Sequence, residues 1–280
     1  RVLDFLSWVQ NERNCGIATR NQRLASIHSF ISYLQYEEID HLREWLKIRS
    51  IKAMKGEKKN INYLTTEGIK LLLEQPDTTT RNGRRNLALL ALMYDTGARV
   101  QEIIDLTPES LKIEGQPYTI RIFGKGRKSR VVPLIEEQIV LLKRYMEENH
   151  LFDQYKLKHP LFFNNRNEKL TRMGITYVLK TYANMARQVN LGLIPDKISC
   201  HSLRHSKAMH LLQSGVNLVY IRDLLGHVST QTTDVYARAD SKQKREALEK
   251  AYVNLVPEKA KECEWEKNQN LLNWLKGLQR

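Results

Sequence analysis

The chain has 280 residues, 41% of them hydrophobic, enough to bury the core of one large or two modest domains. Lys and Arg number 45 against 31 Asp and Glu, and the formal net charge of +14 favours a polyanionic partner, nucleic acid first. Cysteines at 15, 200 and 263 include no C-x-x-C pair, so neither a disulfide framework nor a zinc knuckle is indicated, and no apolar run reaches membrane-spanning length.

Residues 1–38 read as helical, with Leu24, Ile27, Ile31 and Leu34 on one apolar stripe and Thr19 as a candidate N-cap. Arg20 and Arg23 fall off that stripe and are available to phosphates. The stretch from Leu46 to Lys59 carries Lys47, Arg49, Lys52, Lys55, Lys58 and Lys59 around Gly56, with little apolar periodicity. It reads as a helix end followed by a basic linker suited to run along phosphates. Leu64 to Gln75 is an amphipathic helix capped by Thr65 or Thr66, and the nearly all-apolar Arg84 to Tyr94 is a buried one, ended by Asp95-Thr96-Gly97. Another helix starts at Arg99, with Val100, Ile103 and Ile104 inward. Arg99 and the backbone dipoles at that helix start could bind one phosphate jointly, with Glu102 one turn on to hold the guanidinium.

Tyr118 to Phe123 alternates as a strand, Gly124-Lys125-Gly126 is a turn, and Lys128 to Pro133 returns. Arg121, Lys125, Arg127, Lys128 and Arg130 crowd this hairpin, where most would meet phosphates or water. Lys125, set between two glycines, fits a phosphate or minor-groove contact and also a proton donor. Helices follow at Glu136 to Asn149 and Arg172 to Asn190, with a strand or turn at Leu161-Phe162-Phe163 between them; Tyr177, Val178, Tyr182 and Met185 are assigned to the core.

Cys200 to Asp240 packs His201, Arg204, His205, His227 and Tyr236 into one segment. His201 and Arg204, three apart, share a helix face, while Leu203, Leu211 and Leu212 give an apolar side. Gly215 is a candidate C-cap, Val219 to Leu225 a helix, Gly226 its break, and His227 falls on a turn. Ser229 or Thr230 would cap a short last helix carrying Tyr236. Arg offers a planar fork for phosphate oxygens, imidazole moves a proton near neutral pH, and a Tyr hydroxyl among cations can serve as a covalent nucleophile. Together they suggest attack on a phosphodiester. His201 and His205 at i, i+4 lack the Glu of H-E-x-x-H, so no metal site is expected. Beyond Asp240 come a charged connector, Pro257, and an amphipathic segment from Lys259 to Arg280 bearing Trp265, Leu271, Leu272, Trp274, Leu275 and Leu278.

The H-S-L-R-H of residues 201–205, L-L-G-H of 224–227 and T-x-x-Y of 233–236, with T-G-A-R-V-Q-E at 96–102 and the G-K-G hairpin, resemble the tyrosine recombinase family of phage integrases and Xer-like enzymes. The resemblance implies a mostly α fold with a small antiparallel β-sheet, in a two-lobed architecture. Its parts would be a helical core-binding domain at 1–45, short for its kind and so expected to lack a first helix, a basic linker at 46–62, a catalytic domain at 63–256, and a C-terminal helix at 257–280 that docks on a neighbouring protomer. It implies site-specific DNA strand exchange, with Tyr236 as nucleophile, Arg99, Arg204, His201 and His227 around the scissile phosphate, Lys125 as general acid, and Glu102 and His205 in support. Neither ATP nor a metal ion is expected. The implied partners are double-stranded DNA, further copies of the chain in a tetramer on two sites, and accessory DNA-bending or directionality factors, in a prokaryotic cytoplasm. A type IB topoisomerase shares the nucleophile and cations, and a DNA-binding regulator without activity is the non-enzymatic alternative.

Overall fold

The computed structural model describes residues 1–56, 62–124, 126, 128–226, 233 and 236. The expectations for Lys58, Lys59, Lys125, Arg127, His227 and the segment 257–280 lie outside these residues. The chain divides into two compact units, Arg1–Asn60 and Ile61–Arg280.

The first unit holds α1 (Val2–Asn11), α2 (Ile17–Glu37) and α3 (Leu42–Arg49). Both α1 and α3 pack on α2, burying Leu6 and Val9 of α1 and Leu24 and Ile31 of α2. Residues 1–38 are mostly helical, as expected, in two helices: Asn14 adopts φ 47, a left-handed turn that Asn tolerates, and α2 starts after Gly16. Gly16, not Thr19, is therefore the N-cap. Arg20 is another departure. It lies on the inner side of the first turn of α2, only 8% exposed, with Nη1 donating to Asn21 Oδ1 at 3.2 Å, and so is not presented to phosphates. Arg23, Lys52 and Lys55 are exposed. The Asn21 amide exchanges two hydrogen bonds with the Met54 main chain, at 2.8 and 3.0 Å, and so ties the basic stretch that follows α3 to α2.

The second unit is mostly helical. Its helices are α4 (Thr66–Leu73), α5 (Arg81–Thr96), α6 (Val100–Ile104), α7 (Glu136–Glu148), α8 (Arg172–Val189), α9 (Cys200–Gln213) and α10 (Leu218–Leu225). The strands β1 (Leu111–Lys112), β2 (Thr119–Phe123) and β3 (Ser129–Pro133) form one antiparallel sheet in that order, with Ile122 opposite Arg130. The unbroken apolar run Ala88 to Met93 makes α5 the axis of the core, and α7 and α9 pack on it. Two features aim the end of α5. Thr80 Oγ1 accepts from the Gly83 N–H at its start, and Gly97 caps its end with φ 56. A Cβ on Gly97 would lie 2.7 Å from Leu225 Cδ2, so glycine is what lets α10 approach this corner.

On α8 the buried face is Ile175, Leu179, Ala183 and Ala186. Tyr182 and Val178 pack partly against the core, but Tyr177 is 73% and Met185 40% exposed, contrary to the core assignment. Apolar residue type pointed inward; helical phase places these two elsewhere.

Candidate active site

The site forms where α9 crosses the ends of α5 and α10. Ser199 caps α9, its N–H bonded to Ser202 Oγ at 3.1 Å, and the helix buries Ser202, Leu203, Arg204 and Ser206. Arg204 is 3% exposed, yet among the described residues no carboxylate bonds to it. Nη1 donates to the Gly97 carbonyl and Nη2 to the Leu225 carbonyl, both at 2.6 Å. These are carbonyls at the C-terminal ends of α5 and α10, groups that a helix leaves without partners and that carry partial negative charge. Burial, with the nearby Arg99 charge, pushes the Arg204 guanidinium down to about 10, which still leaves it cationic at neutral pH.

Arg99 is the N-cap of α6. Its Nη1 donates to Glu102 Oε1 at 2.8 Å, its main-chain N–H to Glu102 Oε2 at 2.9 Å, and Nη2 reaches the Gly226 carbonyl at 3.5 Å. Glu102 thus holds Arg99 as its spacing suggests. The helix start that Arg99 caps is short: α6 spans five residues, and Glu102 itself takes the Arg99 N–H.

Arg130 departs from its reading as a DNA contact. Its side chain is 12% exposed and turned inward, with Nη2 on Glu102 Oε2 at 2.7 Å and Nε on the Leu224 carbonyl at 2.8 Å. Arg121 and Lys128 on the same hairpin are exposed. Burial pushes the Glu102 carboxyl up, but hydrogen bonds from Arg130 and the Arg99 main chain outweigh it and hold it below the ordinary glutamate value. Two guanidiniums therefore share the Glu102 carboxylate, with the Arg204 charge nearby, an excess of positive charge suited to an anionic ligand.

Tyr236 is 3% exposed, and its hydroxyl meets His205 Nδ1 at 2.8 Å. Burial raises the phenol above its ordinary value, while the charges of Arg204 and Arg99 pull the other way. Burial, His201 and Arg204 lower the His205 imidazole. His201, one turn back on α9, is exposed, its ring centroid 6.4 Å from that of His205. On another side of α9 the Leu64 N–H donates to Ser206 Oγ and the Tyr94 hydroxyl meets His210 Nδ1, each at 2.8 Å, which fastens the start of this unit to the same helix. Among the described residues, no three His, Cys, Asp or Glu side chains come together as a metal site, and no helix is long and apolar enough to cross a membrane.

Of the residues singled out from sequence, the structure thus brings together Arg99, Glu102, Arg204, His205 and Tyr236, with His201 beside them. The main-chain acceptors Gly97, Leu224, Leu225 and Gly226 carry no side-chain signature; only their glycines and the turns these imply could have marked the corner.

The sequence profile of the phage integrase family matches residues 62–243. A putative integrase/recombinase, y4rC, of Sinorhizobium fredii is 32% identical over 277 residues, covering 99% of this chain and 81% of that protein. Tyrosine recombinase XerD of Staphylococcus epidermidis is 36% identical over 242 residues, 84% of this chain and 78% of the relative. Among solved structures, the XerH site-specific recombinase bound to palindromic difH substrate, in a post-cleavage complex, superposes with a TM-score of 0.68 at 25% identity over 88% of this chain and 71% of its own. The Tn1549 transposon integrase in complex with transposon right end DNA shares the fold at a TM-score of 0.70 and 16% identity, covering 89% of this chain and 85% of that one.

Proposed function

This chain belongs to the phage integrase family, and we propose that it is a tyrosine-type site-specific recombinase that cuts and rejoins double-stranded DNA through a phosphotyrosine intermediate. The observation that carries this reading is the convergence of Arg99 and Arg204 with Tyr236, whose hydroxyl is already bonded to an imidazole.

The Tyr236 oxygen attacks the scissile phosphorus. A Tyr–O–P bond forms, the bond to the 5′-oxygen breaks, and the strand is left on the enzyme by its 3′-phosphate. His205, 2.8 Å from that hydroxyl, receives the phenol proton. Arg99, Arg204, His201 and His227 bind the non-bridging oxygens, where charge grows in the transition state. Lys125 delivers a proton to the departing 5′-oxygen. The 5′-hydroxyl of a partner strand then attacks the phosphotyrosine and reverses each step, giving a Holliday junction after the first exchange. One ester replaces another, so the bond energy is conserved and the chemistry calls for neither ATP nor a metal ion.

In the arrangement described, Tyr236 is buried and bonded to His205, so the pair must be uncovered before the hydroxyl reaches a phosphate. Exchange between two duplexes requires several protomers. A tetramer on two sites, with the segment 257–280 docked on a neighbour, meets that need, and accessory DNA-bending or directionality factors would select the outcome. The reaction would take place on cytoplasmic, nucleoid-borne DNA. Incubation with duplexes carrying the ends of the parent element should yield junctions and recombinant products in the absence of ATP and in the presence of chelator. Nicked and religated single duplexes without any exchanged strands would instead indicate a topoisomerase.

A further inference from the structure

Three successive carbonyls at the end of α10 are each held by a different arginine: Leu224 by Arg130 Nε at 2.8 Å, Leu225 by Arg204 Nη2 at 2.6 Å, and Gly226 by Arg99 Nη2 at 3.5 Å. A helix end has carbonyls without intrahelical partners, and cations are favoured there. Arg99 and Arg204 have roles in the reading above; Arg130 has none. It is nonetheless the one of the three that ties this end to Glu102 directly, because its fork bonds both the Leu224 carbonyl and Glu102 Oε2, at 2.7 Å, while the other Glu102 oxygen takes Arg99 Nη1. The remaining nitrogen, Nη1, lies 3.0 Å from where a Cβ on Gly226 would stand, and Gly226 has φ 63. So Arg130 fills the space that a side chain at Gly226 would need.

We propose that Arg130 is a positioning residue for strand cleavage: through Glu102 and the Leu224 carbonyl it locks Arg99, strand β3 and the end of α10 into one unit, and so sets Arg99 in register with the segment that leads to Tyr236. The proposal rests on the recombinase reading. The geometry demands a guanidinium. Two acceptors that diverge from one side chain match a planar fork, whereas the ammonium of lysine is a single point that cannot hold both in the same way. A DNA phosphate contact is disfavoured because Nε and Nη2 are already committed and the side chain is largely buried.

The test uses the full chain with Arg130→Ala, Arg130→Gln and Arg130→Lys. Affinity for a single site is measured alongside single-turnover adduct formation, and hydrogen exchange is followed at residues 221–226 without DNA. Affinity should hold while adduct formation falls by about two orders of magnitude, the scale of a loss from misplacement remote from the chemistry. Arg130→Lys should fall nearly as far as Arg130→Ala, added guanidinium should restore part of the alanine variant's rate, and exchange at the end of α10 should quicken. Should the alanine variant fail to fold, the glutamine and lysine variants carry the same comparison. Equal losses in affinity and rate, full activity of the lysine variant, or unchanged exchange would each overturn the proposal. If the wild-type protein forms no adduct, the recombinase reading fails, and the exchange measurement still decides whether Arg130 locks this corner.

Discussion

The hydroxyl of Tyr236 lies 2.8 Å from Nδ1 of His205, and the two groups are shifted in opposite senses, the phenol up and the imidazole down. Both shifts come first from burial, which disfavours whichever form is charged. The pair therefore rests neutral, phenol donating and imidazole accepting. Since the His205 value is lowered in the folded protein, its proton is lost below the ordinary value of about 6.5, and the neutral acceptor is present throughout the range above it. We expect an NMR titration of the His205 ring to give a midpoint below that of an exposed histidine. Replacing Tyr236 by Phe removes a donor that favours the neutral ring, so the midpoint should move upward. A midpoint at or above 6.5 in the wild-type protein would contradict this pairing.

Arg204→Lys tests whether the buried guanidinium is spent on transition-state charge rather than on affinity. A lysine cannot span the Gly97 and Leu225 carbonyls and still face a phosphate as a fork does. Single-turnover cleavage should fall by roughly two to three orders of magnitude, the usual cost of one preorganised charge donor, with DNA affinity nearly unchanged. Parallel losses in both would make Arg204 an ordinary phosphate contact.

Much of this site is legible in the sequence because motif spacing, helical phase and glycines report local geometry. Arg99 and Glu102 are three apart across a helix start, so their bond follows from spacing alone. The G-A-R corner and the break at Gly226 are likewise marked by residues that tolerate positive φ. What is not legible is where a cation goes when its partners are remote in sequence. Arg130 and Lys128 look alike on the hairpin, yet one pairs with Glu102 and the other faces water, because Arg130 lies within β3 against the end of α10 while Lys128 stands in the turn before the strand begins at Ser129. Arg20 is hidden for a related reason: a stripe drawn from apolar residues alone leaves no room for a buried guanidinium stem.

Gly97→Ala probes the corner itself. The substitution forces a Cβ at φ 56 and within 2.7 Å of Leu225 Cδ2. A loss of about 1–3 kcal/mol in unfolding free energy is expected from a strained left-handed position, and denaturant titration measures it. Unaltered stability would mean that α10 does not depend on this close approach.

The salt dependence of DNA binding separates the exposed cations from the buried ones. Each phosphate contact contributes about one unit to the slope of log K against log salt. Arg121→Gln should reduce the slope by about that amount, whereas Arg20→Gln, at a buried position, should leave it unchanged. The reverse pattern would contradict the exposures found here.

The measurement that bears most directly on the account is the identity of the residue joined to DNA. The protein is incubated with a nicked duplex whose cleaved fragment diffuses away, the adduct is digested with protease, and the nucleotide-linked peptide is sequenced by mass spectrometry. The account predicts a 3′-phosphate ester on Tyr236 alone, and no adduct from Tyr236→Phe although that variant still binds the duplex. A nucleotide found on a histidine or serine, or an adduct that persists in the phenylalanine variant, would contradict it.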